Sequence, residues 1–125
     1  MEKRYLWFTA TTITNYEQKV ARDLKAIKNN RNINEIQEII IPMQEYETKT
    51  GIKKEKPKIP NYFYVKLEVD NDNQPPTWVW HLIRNIKGCI GILQRDGYMI
   101  GLDDMEIKDD LGITDEEIRE MAEKL

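Results

Sequence analysis

The chain has 125 residues, of which 40% are hydrophobic and 33% are charged, and its formal net charge is −3. These totals fit one folded domain with a modest core, and the negative charge argues against a protein that coats nucleic acid. A single cysteine excludes an intramolecular disulfide, and the absence of serine excludes serine-based catalytic triads. Because no apolar run approaches the roughly 20 residues of a membrane helix and no signal peptide opens the chain, we expect a cytoplasmic protein without membrane contact.

The first half of the chain predicts a strand, a helix and two further strands. Residues 5–10 alternate as a strand does. Residues 14–17 have the spacing of a capping box, and the apolar stripe that follows continues a helix to about residue 27. Residues 36–48 then indicate a long strand, and residues 52–58 a weaker return strand.

The second half completes a recognisable order of elements. Residues 62–69 have the clearest strand pattern, and a polar loop follows them. Thr77 can cap a second helix, Gly88 can end it, and residues 89–93 indicate a short buried strand. This order is typical of the α+β class, and of a ferredoxin-like antiparallel sheet with two helices on one face.

The charges are unevenly distributed along the chain. Residues 49–58 hold five lysines and one glutamate, which predicts an inserted basic β-hairpin. Residues 103–124 hold ten acidic and three basic residues. Thr114 and Glu117 have the spacing of a capping box, so this acidic C-terminal extension is predicted to be helical.

Residues that could perform chemistry are scarce. His81 and Cys89 are the only histidine and the only cysteine, and two such ligands cannot build a structural zinc site. They also lack a third residue that would orient them as a nucleophilic pair. Cys89 falls in a buried strand pattern, and the chain has no glycine-rich phosphate loop. We therefore expect no enzyme, no metal and no cofactor.

Strand alternation divides the aromatic residues of the sheet between its two faces. Trp7, Tyr62 and Tyr64 share a face with the charged Lys66 and Glu68, which marks that face as the one the first two helices leave free. Three large aromatics on an uncovered sheet are costly, so something must cover them. The cover is either the chain's own hairpin or tail, or a partner protein, and we favour the partner.

Five short motifs follow one another between residues 5 and 102. They are Trp7-Phe8, Asn15-Tyr16-Glu17-Gln18-Lys19-Val20, Ile41-Pro42 with Glu45, Ile59-Pro60-Asn61-Tyr62-Phe63-Tyr64-Val65, and Trp80-His81-Leu82-Ile83-Arg84-Asn85 with Gly88-Cys89-Ile90-Gly91. In residue identity and spacing these motifs resemble the N-terminal (NGN) domain of the NusG family. The members of this family are bacterial transcription elongation factors. The ordered set is more specific than any one of its members.

The resemblance implies a non-catalytic factor that docks an aromatic sheet face on the clamp helices of RNA polymerase. Such docking would close the clamp and modulate pausing and termination. The docking positions that it implies are Trp7, Ile59, Pro60, Tyr62, Tyr64 and Ile92. The positions implied near upstream or non-template DNA are Arg84, Asn85 and Lys87, joined by Lys53 and Lys54 of the basic hairpin.

The resemblance also implies domain limits and partners. Residues 1–102 would form the NGN-like polymerase-binding domain, and residues 103–125 an acidic extension or the start of a linker. The family's KOW domain, which recruits Rho or a ribosomal protein, is absent from this chain, so those partners require a domain beyond it. We expect a monomer.

Two alternatives remain open from the sequence. An RRM-like RNA-binding module shares the ferredoxin-like plan and stacks bases on an aromatic sheet face, but residues 61–65 lack the glycine and the basic residue of its signature. A small-molecule sensor on the same fold has no supporting cluster of residues. The lysine hairpin likewise has two interpretations: it protects a sheet edge, or it contacts DNA or an acidic polymerase surface.

Overall fold

The computed structural model describes residues 2–125 and contains nine strands and four helices within them. The strands are β1 (Arg4–Thr12), β2 (Ile36–Ile40), β3 (Met43–Glu47), β4 (Lys53–Pro57), β5 (Tyr62–Val69), β6 (Cys89–Ile92), β7 (Gln94–Arg95), β8 (Tyr98–Met99) and β9 (Gly101–Leu102). The helices are α1 (Glu17–Arg31), α2 (Thr77–Arg84), α3 (Asp104–Leu111) and α4 (Asp115–Lys124).

The central sheet is antiparallel and runs in the order β2-β5-β1-β6, with the short β9 also paired to β1. The long β1–β5 pair is in register from Arg4 opposite Val69 to Thr11 opposite Tyr62. Two small hairpins, β3–β4 and β7–β8, pair only with themselves. The predicted α+β class and antiparallel sheet are therefore confirmed.

Two separate cores lie on the two faces of the sheet. The first is formed by α1 and α2 against one set of alternating strand residues, including Phe8, Phe63 and Leu67. The second is formed by α3 and α4 against the other set, including Trp7 and Tyr64. Residues 103–125 are thus part of the packed structure and not a projecting extension.

The helix starts show which capping predictions were right. In α4, Thr114 and Glu117 form the predicted reciprocal capping box. In α1 the predicted box is wrong, because the cap position is Tyr16 and no side chain caps the helix there. Thr77 is likewise the first residue of α2 and not its cap. Among residues 2–125 no helix has the length and apolar character needed to cross a bilayer.

Candidate docking surface and nucleic-acid interface

The turn between β4 and β5 is held in place by hydrogen bonds to the end of β1 and the loop that follows it. Asn61 adopts a left-handed backbone conformation, with φ 72°, which asparagine tolerates better than most residues. Its backbone carbonyl accepts from Thr12 N at 2.8 Å. Its side-chain amide donates to Thr12 O and to Thr14 Oγ1, both at 3.2 Å. These bonds tie the turn to the end of β1.

A buried carboxylate completes this arrangement. Glu17, in the first turn of α1, is only 4% exposed, and its Oε2 accepts from the backbone N of Asn61 at 2.8 Å. The glutamate thus bonds to another segment of the chain and not to its own helix. The consequence is a fixed turn that presents Pro60 to solvent and leaves Ile59 and Tyr62 half-buried.

The expectation that Trp7 and Tyr64 lie on an uncovered face is wrong in this structure. Trp7 is 1% exposed and Tyr64 is 7% exposed, because Ile107, Leu111 and Ile118 of the C-terminal helices pack against them. Of the two covers considered from the sequence, the chain's own tail is the one present. Only the part of this face beyond the two helices remains open.

Polar contacts fix Trp7 under its cover. The Trp7 indole Nε1 donates to Asp104 Oδ1 at 2.9 Å, and Lys66 Nζ lies 2.9 Å from the same oxygen and 5.8 Å from the centroid of the Trp7 ring. Partial burial alone would raise the pKa of Asp104. The hydrogen bonds from Lys66 and Trp7, with the charges of Lys66 and Lys108, outweigh that effect and hold the pKa below its usual value. The contact is therefore strongest with Asp104 ionised.

Tyr64 is held in its neutral form beneath the same cover. Its burial raises the pKa of the phenol, and the neighbouring Tyr62 and the charge of Asp110 raise it further. A buried neutral phenol suits a packing role. Trp7 and Tyr64 therefore support the sheet face and are not available to a partner while α3 and α4 stay in place.

The structure also corrects the choice of residue on β6. Ile92 pairs with Ala10 and is buried in the first core, on the α1 and α2 side of the sheet, at 6% exposure. Leu93 is its neighbour and its backbone N donates to Thr9 O at 2.8 Å, so alternation directs it to the opposite face. Leu93 is 41% exposed and was missed from the sequence. Strand alternation from Ile92 was the signal that would have found it.

Apolar side chains that are partly or fully exposed lie at the fixed turn, just after β1 and along the β6 edge. We call this the turn-edge surface, and it consists of Ile13, Pro60, Tyr62, Ile90 and Leu93. Ile13 and Ile90 are 53% and 61% exposed. Backbone hydrogen bonds connect the segment after β1 to the turn and to the residue before β6. Thr12 N donates to Asn61 O, and Ile13 N donates to Gly88 O at 2.9 Å. An apolar patch of this kind, built on a fixed backbone, is suited to contact with another protein.

The predicted DNA-contacting residues at the end of α2 are exposed. Arg84, Asn85 and Lys87 are all open to solvent, and the Arg84 guanidinium lies 5.1 Å from the centroid of the Trp80 ring. Gly88 ends this connection with φ 95°, and a Cβ there would lie 2.9 Å from Cγ of Tyr16. The backbone that carries the three polar residues is thus packed tightly against the start of α1.

The two predicted lysines of the hairpin are exposed and occupy neighbouring positions on β4. Lys53 pairs with Glu47, whereas Lys54 pairs with Tyr46. Cross-strand partners share a face and successive residues alternate, so the two lysines point to opposite faces of the hairpin.

The residues most capable of chemistry do not form a reactive centre. Partial burial raises the pKa of the Cys89 thiol, and a hydrogen bond with the backbone of Gly91 lowers it less. His81 is exposed and its ring packs edge-on against Trp80 at 4.6 Å. Among residues 2–125 no group of three or more acidic, histidine or cysteine side chains is arranged to hold a metal.

The elements define a small α+β domain with an antiparallel sheet packed on both faces. A family model described as "Transcription termination factor nusG" matches residues 5–111. The chain therefore belongs to the NusG family.

Curated relatives are similar over most of this chain. The "Transcription termination/antitermination protein NusG" of Rickettsia felis is 25% identical over 118 residues, covering 91% of this chain and 58% of that protein. The protein of the same name from Rickettsia typhi is 26% identical over 91 residues, covering 70% of this chain and 44% of that protein. The chain thus spans about half the length of these relatives.

A solved structure agrees in fold. The structure described as "Domain interaction in Thermotoga maritima NusG" superposes with a TM-score of 0.62 at 18% identity, covering 98% of this chain and 59% of that one. At this identity the likeness shows the fold alone.

Proposed function

We propose that this chain is a non-catalytic transcription factor that docks on RNA polymerase and modulates pausing and termination. Family membership supports the transcription role, and the relatives carry the name of termination and antitermination proteins. The observation that carries the docking proposal is the turn-edge surface, where partly or fully exposed apolar side chains lie at a turn fixed by Glu17 and along the neighbouring β6 edge.

The proposed docking face is the open part of the aromatic sheet face. Tyr62 and Pro60 contact the clamp helices of the polymerase, and Ile13, Ile90 and Leu93 extend the contact along the β6 edge. Ile59 is half-buried against the second core and supports the turn from below. Trp7, Tyr64 and Ile92 are buried, so their part is to hold the face in shape and not to meet the partner.

The proposed polymerase-binding unit includes residues 103–125. Although an extension starting at 103 was expected, α3 and α4 supply three buried side chains of the second core, Ile107, Leu111 and Ile118. A boundary at residue 102 would remove the cover from Trp7 and leave the docking face without its support.

A second proposed contact is with DNA near the docked domain. Arg84 and Lys87 supply positive charge to phosphates, and Asn85 supplies hydrogen bonds. All three are exposed at the end of one helix.

The test is equilibrium binding to purified core RNA polymerase and to an assembled elongation complex. Tyr62→Ala should weaken binding to both by about 5- to 150-fold, the effect of losing a central aromatic anchor. Tyr98→Ala is the matched control, because Tyr98 is 64% exposed on the separate β7–β8 hairpin. As a residue outside the docking surface, it should change the affinity by less than about 2-fold. Equal effects of the two variants would remove Tyr62 from the docking surface.

The DNA contact has its own signature in the same titrations. Replacing Arg84 and Lys87 with glutamine should weaken binding to the elongation complex and leave binding to DNA-free polymerase unchanged. Loss against both would instead place these residues in the protein interface.

The RRM-like alternative is disfavoured by the burial of the aromatic face. Bases stack on exposed rings, and Trp7 and Tyr64 are covered by the chain's own helices. Salt-sensitive binding to free RNA, with no polymerase binding, would revive this alternative.

A further inference from the structure

The β3–β4 hairpin has two chemically different faces. On one, Tyr46 lies opposite Lys54 and Gln44 opposite Lys56, and all four residues are exposed. We call these four residues the lysine face. The opposite face pairs Glu45 with Glu55, Glu47 with Lys53 and Met43 with Pro57. One face is therefore cationic and the other predominantly anionic.

The anionic face borders further acidic residues. Glu45 and Glu55 line a groove of about 400 Å³ together with Glu117 and Glu120 of α4, and the basic Arg22 and Lys124 line it as well. The anionic face of the hairpin is thus continuous with the acidic tail and repels polyanions.

The lysine face has different neighbours. Tyr46 and Lys56 line a cleft with Lys19, Arg22 and Asp23 of α1, where Asp23 is paired with Lys19 at 2.8 Å, and Glu17 and Glu55 line it as well. Tyr46 is 39% exposed, and Lys56 Nζ lies 5.1 Å from the centroid of its ring. Since Lys56 already occupies one side of the ring, Tyr46 is better placed to offer its hydroxyl than to stack on a base.

We propose that the lysine face binds the phosphate backbone of duplex DNA. Lys54 and Lys56 are two residues apart on one strand, about 6.7 Å by strand geometry. Two ammonium groups at this spacing on one exposed strand can each contact a phosphate of the same DNA backbone. The Tyr46 hydroxyl and the Gln44 amide add neutral donors of the kind that position proteins on phosphates.

The donors of the lysine face favour the duplex over a single strand. Charged and neutral donors suit phosphates, which a duplex presents without any contact to its bases. Single-strand binding by contrast relies on open aromatic rings, and the ring of Tyr46 is partly occupied by Lys56. The inference rests on the proposed function in one respect: docking on the polymerase is what brings upstream duplex DNA within reach of the hairpin.

The experiment is fluorescence anisotropy of a labelled duplex, without polymerase, over a series of salt concentrations. Lys54→Gln and Lys53→Gln form a matched pair, because the two residues are adjacent and lose the same charge but lie on opposite faces. Lys54→Gln should lower the affinity several-fold and reduce the slope of log affinity against log salt by about 0.9. A variant that also carries Lys56→Gln should reduce the slope by about 1.8. Lys53→Gln should leave the slope unchanged.

Four results would overturn the proposal. Equal losses in Lys53→Gln and Lys54→Gln would mean that only the total charge of the hairpin matters. Tighter binding to a single strand of the same sequence would assign the face to unpaired nucleic acid, and displacement of the duplex by polyglutamate of equal charge would assign it to acidic protein. No saturable duplex binding even at the lowest salt would refute the site itself.

The result of this experiment does not depend on whether the docking proposal is right. Free duplex tests the lysine face alone, whereas Tyr62→Ala on DNA-free polymerase tests docking alone. Because the hairpin is exposed and pairs only with itself, unchanged thermal unfolding of each variant would show that the domain is intact.

Discussion

The buried carboxylate of Glu17 provides the sharpest test of how the docking turn is held. In Glu17→Ala the backbone N of Asn61 loses its 2.8 Å acceptor, and no water can easily replace it at a site where the glutamate is 4% exposed. The left-handed turn would then depend on its bonds to Thr12 and Thr14 alone. We expect a loss of both stability and polymerase affinity.

The magnitude follows from the type of bond. A hydrogen bond to a charged group contributes about 1.5–3 kcal/mol, and an unsatisfied buried donor costs about 1–3 kcal/mol. These two values describe the same lost hydrogen bond and are not added. We therefore expect a loss of about 2–3 kcal/mol in the free energy of unfolding. An unfolding entropy of about 2.1 cal/mol/K per residue gives about 0.26 kcal/mol/K for a chain of this length, so Tm should fall by about 8–12 °C.

The assay is urea and thermal unfolding of four proteins followed by circular dichroism. Glu17→Gln keeps an oxygen in place and should lose less stability than Glu17→Ala. Gln18→Ala, one position along the same helix, is the control and should change the free energy of unfolding by no more than about 0.5 kcal/mol. A Glu17→Ala variant as stable as Gln18→Ala would refute the reasoning, because the bond to Asn61 would then contribute nothing.

Two further predictions concern the packing behind the candidate surfaces. Gly88→Ala should cost about 2–4 kcal/mol in urea unfolding, since Gly88 has φ 95° and the added Cβ would meet the Tyr16 side chain, whereas Gly97→Ala, with φ 83° but open space, should cost only about 1 kcal/mol. Equal costs would show that backbone conformation alone matters. Asp104→Asn should lower stability at neutral pH by about 1 kcal/mol or less, because Asp104 is largely exposed. The folded-state pKa of Asp104 is depressed, so its contribution is present above the unfolded value of roughly 3.9 and is lost as the pH falls through the folded value. A difference from the wild type that persists at the same size well below that range would contradict the assignment.

The sheet and its first core were predictable because their signals are local. Strand alternation in residues 62–69 and the helical stripe through Val20 and Leu24 each depend on a few neighbouring residues, and both segments form as expected. The capping box of α4 was predictable for the same reason, since Thr114 and Glu117 lie three residues apart and bond to each other.

The predictions that failed depend on contacts between distant segments. Glu17 has the spacing of a capping residue, but its carboxylate bonds to Asn61, 44 residues away. Nothing within residues 14–17 distinguishes these two uses of one side chain. Similarly, the side chains of Ile92 and Leu93 are both apolar, and only the register with β1 decides which of them is buried.

The cover over Trp7 was the least predictable feature, and energetics decides what it means for docking. The tail was one of two covers that the sequence allowed, and choosing between them required knowing that Ile107, Leu111 and Ile118 reach the aromatic face together. Burying each of these side chains contributes about 1.5–3 kcal/mol, so together they hold α3 and α4 in place with at most about 5–9 kcal/mol.

A partner that displaced the two helices would have to replace this stabilisation before gaining any affinity. A dissociation constant of 1 μM corresponds to about 8 kcal/mol in total, so displacement would consume nearly all of a moderate interaction. It would bury Trp7 again but leave the apolar stripe of the tail in water. Contact at the turn-edge surface carries no such cost, because Tyr62 and Leu93 are already accessible on a fixed backbone. The structure therefore favours docking beside the tail over docking beneath it.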